Sequence, residues 1–211
     1  MINGAVQEQR ADLVSRLVSL LAESVDATLI KRGLPPESVE DAREGLSAVE
    51  VPISPANAVD FSFSARDGAV PFSLGRFGDG HSPVFYSALE EETCVAELTY
   101  WQGQQLAATS AHPRYYDVVA CDFLGAALIL RGHENEYPDL VSATDAGYPF
   151  CRAVASWARE QGASALYTTS ARRDEGTCVP VFARQCLSNV RRGARYRFSR
   201  APNGVVHERL P

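Results

Sequence analysis

Arg76, Tyr86 and Glu97 stand close together in the stretch RFGDGHSPVFYSALEEETCVAEL. A guanidinium offers a planar fork of donors for an anion. A phenol offers a flat face and a hydroxyl, and a lone carboxylate can stabilise positive charge that develops on a substrate. Gly75, Gly78 and Gly80 surround the arginine, so backbone can approach a ligand where a side chain would collide. Taken in order, these residues read as a catalytic pocket that receives an anionic ligand. Taken singly, each also has an ordinary role: Arg76 as a loop salt bridge, Tyr86 as core, Glu97 as a boundary residue paired with a surface arginine.

The elements that must position them follow from local pattern. Pro83 to Ser87 reads as a strand with Val84 and Tyr86 on one face and Phe85 on the other. Ser87 followed by Glu90 fits a capping box, which predicts a helix from there to about Trp101. Its buried stripe would be Cys94, Leu98 and Trp101, with Glu97 on the flank at roughly 60° from the stripe's centre. Glu90, Glu91 and Glu92 would then sit in the first turn, where negative charge suits the helix dipole.

Around this centre, residues from about Ala5 to Arg32 carry apolar side chains at helical spacing, Leu13, Leu17, Leu20, Leu21 and Val25, stopped by Gly33, Pro35 and Pro36. They predict an amphipathic helix that packs on the body, forms an oligomer interface or holds a partner. A second short helix is expected over Glu37 to Ala48. Residues 1–55 thus read as an N-terminal helical extension and 56–211 as the catalytic domain. Within the latter, VDFSFSA (Val59 to Ala65), YYDVVACDF (Tyr115 to Phe123), Ala126 to Arg131, ALYTTSA and CVPVFAR read as strands, with Pro180 placing the last at an edge or bulge. Tyr148 to Gln161 reads as a helix capped by Gly162, and Tyr196 to Leu210 as a hairpin turning at Asn203-Gly204. In that hairpin Arg195 and Arg197 face solvent while Tyr196 and Phe198 face the core, so the arginines do not imply a nucleic-acid surface.

Composition narrows the function. The 211-residue chain has a net charge of −6, which argues against general attraction to nucleic acid or anionic lipid and makes any phosphate binding local. No run approaches a membrane span, and the start MINGAVQEQR shows no secretory signal, so a cytoplasmic location is expected. Five cysteines without a C-x-x-C pair suit reduced core thiols. The four scattered histidines have no metal-ligand spacing, so no metal is expected.

The order Arg76, Tyr86, Glu97 and then Ser170 in LYTTSARRDEGTCVPVF resembles the RES family, named for its arginine, glutamate and serine. The family signature has arginine in a glycine-rich loop, tyrosine ten positions on (86 − 76), glutamate eleven beyond (97 − 86), and a small-residue strand ending in serine, followed here by Ala171 and Arg172. The similarity spans roughly Phe61 to Phe182. Two positions depart from it: Phe77 is followed by Gly78 and Asp79 where the family often has asparagine, and Thr177 stands where an asparagine follows the serine strand.

The resemblance implies an α+β fold similar to ADP-ribosyltransferases, with mixed sheets and flanking helices. It also implies an enzyme that cleaves the nicotinamide–ribose bond of NAD, its substrate, with no metal. Glu97 would stabilise the oxocarbenium-like ribose, Arg76 hold pyrophosphate or ribose, Tyr86 meet the nicotinamide, Ser170 bind substrate or steady Glu97, and Thr177 contribute a hydroxyl. Similar members are toxins of toxin–antitoxin pairs, so an Xre-type helix-turn-helix antitoxin, or an immunity protein, is an expected partner. A protein ADP-ribosyltransferase and a non-catalytic interaction module are the alternatives.

Overall fold

The computed structural model describes residues 2–19, 35, 38, 54–106 and 113–211. The chain begins with a strand, β1 (Val6–Ser19), in place of the expected helix. All fourteen of its residues pair antiparallel with β3 (Arg114–Ile129), from Val6 opposite Ile129 to Ser19 opposite Tyr116. Long-range pairing overrides the helical spacing of its leucines: Val14 and Leu17 are buried while Leu13 is half exposed. The remainder of the expected N-terminal helix lies outside the described residues. So does the expected helix over Glu37 to Ala48, save for Ser38, which is helical.

A second correction follows at VDFSFSA, whose first five residues are helical: α1 (Pro55–Phe63). Ser54 caps it by accepting from the Asn57 N–H at 3.2 Å, and Pro55 enters at the first turn, so the local start signal outweighs the alternating pattern. Val59 is buried, while Phe61 stays exposed beneath the Arg66 guanidinium.

The other elements are β2 (Phe85–Ala88), α2 (Glu91–Leu106), α3 (Tyr148–Glu160), β4 (Ala165–Thr169), β5 (Thr177–Val181), β6 (Leu187–Ala201) and β7 (Gly204–Leu210). Together they make an α+β fold around one mixed sheet in the order β1-β2-β5-β4-β3-β6-β7. Only β3 and β4 run parallel. Because β1 pairs with both β2 and β3, five strands close into a ring from which the β6–β7 hairpin extends. The ring's seam is thin, since β1 meets β2 only where Ser15 faces Ala88.

Several local expectations hold. Val84, just before β2, and Phe85, its first residue, lie in separate apolar clusters. Phe85, Phe123 and Phe198 are almost wholly buried, each contributing about 1.5–3 kcal/mol. The two strands expected between Tyr115 and Arg131 are one long β3. Gly162, at φ +82°, follows α3, and the hairpin turns one residue early, through Pro202 and Asn203 between the paired Ala201 and Gly204. Tyr196 and Phe198 are buried as expected. A bulge in β6 turns Arg192 and Arg195 toward the same buried Asp117, each Nε 2.9 Å from a carboxylate oxygen. Pro180, expected at an edge or bulge, instead sits inside the sheet: β5 lies between β2 and β4, with Pro180 opposite Tyr86. All five cysteines are unpaired thiols.

Candidate active site

Beside the seam between β1 and β2 lies a cavity of about 270 Å³. Its wall takes Arg16 and Leu17 from β1, Gly75 to Phe77 from the glycine loop, Tyr86 to Ala88 from β2, and Glu97 and Trp101 from α2. Tyr148 from α3, Arg172 after β4 and Cys178 from β5 complete the functional part of the lining. The structure therefore brings Arg76, Tyr86 and Glu97 into one cavity wall.

Glu97 is held from one side. Its Oε1 accepts the Ser170 hydroxyl at 2.7 Å and the Cys178 thiol at 3.5 Å. Ser170 is buried, outside the lining, and its Oγ accepts the backbone N–H groups of Arg172 and Arg173 at 3.1 and 3.2 Å. The serine thus joins the turn after β4 to the carboxylate. Among the described residues Glu97 is also the only acidic one in a wall that contains three arginines, Arg16, Arg76 and Arg172. A cavity with that balance favours an anionic ligand although the whole protein is acidic.

The start of α2 differs from the expected capping box. Ser87 is a strand residue whose hydroxyl donates to Val179 O at 2.6 Å. Glu90 instead accepts the Thr177 N–H at 2.9 Å and the Thr93 hydroxyl at 2.6 Å, locking β5 to the helix. Burial opposes the Glu90 charge, but these donors outweigh it and hold the carboxyl below its ordinary range. The helix runs on to Leu106, and Trp101, expected in the buried stripe, is 40% exposed on the cavity wall.

Arg76 spends much of its fork on the chain itself. Its Nη1 donates to Asp139 O and Leu140 O at 3.3 and 3.2 Å, its Nη2 to Ser142 O at 2.7 Å, and the guanidinium lies 5.1 Å from the Tyr148 ring centre. From α3, Arg152 Nε donates to Gly75 O at 2.9 Å and Arg159 to Phe77 O at 3.3 Å, so the glycine loop is tied at both ends. Asp79 Oδ1 accepts the His81 and Ser82 N–H groups, both at 2.9 Å, and closes the turn beyond. Tyr86 Oη accepts the Phe77 N–H at 3.2 Å, and burial pushes the phenol up to about 12. A Cβ on Gly75 would strike that hydroxyl and one on Gly78 would strike Ser73 O, which is why glycines stand there.

Thr177 does not reach the wall. It is buried, and its hydroxyl accepts from Arg131 Nη1 at 2.6 Å. Arg16 does reach it, and sequence reasoning missed this residue because β1 read as a helix. Its Nη1 donates to Ser62 Oγ at 2.8 Å and its guanidinium lies 5.3 Å from the Phe85 ring centre, with no carboxylate in ion-pair range among the described residues. Burial lowers its pKa, as for a cation held from water without an opposite charge. The Arg172 guanidinium carbon lies over Tyr100, 3.4 Å from the ring centre, and its buried Nε has no hydrogen-bond partner among the described residues.

Among the described residues no three His, Cys, Asp or Glu side chains gather to hold a metal ion, and no helix is long and apolar enough to cross a membrane. The family model for the RES domain matches residues 50–201. No curated protein matches. The chain is similar in structure to one chain of the M. tuberculosis MbcT–MbcA toxin–antitoxin complex, at a TM-score of 0.45 and 12% identity over 97% of this chain and 86% of that one.

Proposed function

The chain belongs to the RES domain family, and on that footing we propose that it is an NAD-consuming toxin that breaks the nicotinamide–ribose bond. The observation that carries the reading is Glu97: one carboxylate, fixed through Oε1 by Ser170, in a cavity whose other charged lining residues, among those described, are three arginines. That pairing suits a substrate with a negative pyrophosphate and a sugar carbon that turns positive during reaction. The volume suits one end of a dinucleotide, with the rest over the mouth, where Trp101 and Leu74 are exposed.

In the proposed reaction the C1′–N bond breaks and its electron pair returns to the pyridinium ring, which leaves as neutral nicotinamide. The ribose is left oxocarbenium-like, and Glu97 stabilises it. The ring nitrogen is already cationic in NAD, so departure needs no acid, unlike ordinary glycoside cleavage. Arg16 and Arg172 are the arginines with donors to spare for pyrophosphate. Arg76 chiefly holds the turn at 139–142 against the cavity, and the acceptor, water, phosphate or a protein side chain, closes the reaction at C1′.

Incubating pure protein with NAD, with and without phosphate or cell extract, and resolving products by NMR tests the reading. Release of nicotinamide supports it; no turnover by the wild type under any of these conditions defeats it. An enzyme of this kind poisons its host, so a neutralising partner, of the Xre-type helix-turn-helix class, belongs to the proposal. Growth arrest on expression, relieved by that partner or by Glu97→Gln, is the cellular counterpart.

A further inference from the structure

We propose that Cys178 is a positioning residue: its thiol donates to Glu97 Oε1 and, with Ser170, decides which carboxylate oxygen faces the substrate. The inference rests on the reading of Glu97 given above. A cysteine serving only as core would face apolar atoms. Cys178 lies on β5, between Ala88 of β2 and Thr168 of β4, and its sulfur reaches the cavity wall with Glu97 Oε1 3.5 Å away.

Burial first and the Glu97 charge second raise the Cys178 pKa well above its usual value. The sulfur therefore stays protonated and acts as a donor, not as a nucleophile. Ser170 donates to the same oxygen from another segment, at 2.7 Å. No described residue donates to Oε2, so that oxygen remains available to the ligand. Two donors on Oε1 fix the rotation of the carboxylate, the pre-organisation that electrostatic catalysis requires. The charged and titratable groups around Glu97 are Arg16 from β1, Arg76 and Arg172 from the two loops, Tyr86 from β2, Tyr148 from α3 and Cys94 on its own helix. None of these donates to Glu97.

The test compares wild type with Cys178→Ala and Cys178→Val, which remove the donor at different volumes, and Cys178→Ser, which keeps one. The first readout is the ¹³C chemical shift of the labelled Glu97 carboxyl by NMR at one fixed pH, assigned with Glu97→Gln, which needs no turnover. Loss of the thiol donor moves this resonance in Ala and Val, and serine restores it. The second is kinetics: kcat for NAD falls about two- to tenfold with KM unchanged. An unchanged resonance in both Ala and Val, or a serine variant as shifted as they are, overturns the proposal. If the wild type does not turn over NAD, the functional reading fails while the NMR comparison still decides the hydrogen bond.

Discussion

Glu97 lines a cavity with no second carboxylate among the described residues, and it accepts the Ser170 hydroxyl from behind the wall and the Cys178 thiol within it. Glu97→Gln keeps the shape and removes the charge. On the proposed reaction it should lower kcat at least about 100-fold, the scale seen when one pre-organised electrostatic group is lost, with an unchanged circular dichroism spectrum. Arg16 gives a prediction of a different kind. Arg16→Ala should lower kcat/KM for NAD by about 10–100-fold through weaker pyrophosphate binding, and Arg16→Lys should recover little of it, because a point charge lacks the planar fork. Equal kcat/KM for wild type and Arg16→Ala would remove Arg16 from the ligand site. That Arg76, Tyr86 and Glu97 share one wall was legible in the sequence because a single loop–strand–helix segment carries them in order. Arg16 was not, since its place in the wall depends on strand pairing with residues far along the chain.

Among elements, the glycine loop and the turn at 138–142 act as one unit, joined by Arg76 through three backbone carbonyls. Arg76→Ala should destabilise the protein by about 2–3 kcal/mol, read as a fall in Tm of roughly 5–10 °C, besides lowering activity. A variant with wild-type Tm would show that the turn holds without it. Patterns dominated by near neighbours were readable: α3 with its glycine, the hairpin, and the separate clusters of Val84 and Phe85. Those decided at a distance were not. β1 carries helical spacing yet is claimed by β3, Glu90 serves the Thr177 N–H across the fold instead of a capping box, and Pro180 is accommodated inside a sheet where proline is usually an edge residue. At α1 the misreading was local, because Ser54 and Pro55 outweigh alternation.

For the molecule as a whole, the division into a helical extension and a catalytic domain does not describe residues 6–19, which form a stave of the ring although the family match begins only at residue 50. Deleting residues 2–19 should therefore abolish cooperative unfolding, not trim an appendage; a truncated protein with a sharp thermal transition would contradict this. The same stave bears on synthesis. Leu13 pairs with Asp122, 109 residues later (122 − 13), so at about 5–20 residues per second the ribosome takes roughly 5–20 s to deliver the partner. Through that interval the nascent chain carries an unmatched hydrogen-bonding edge and no closed ring, so whatever the finished protein does begins only after most of the polypeptide has been translated.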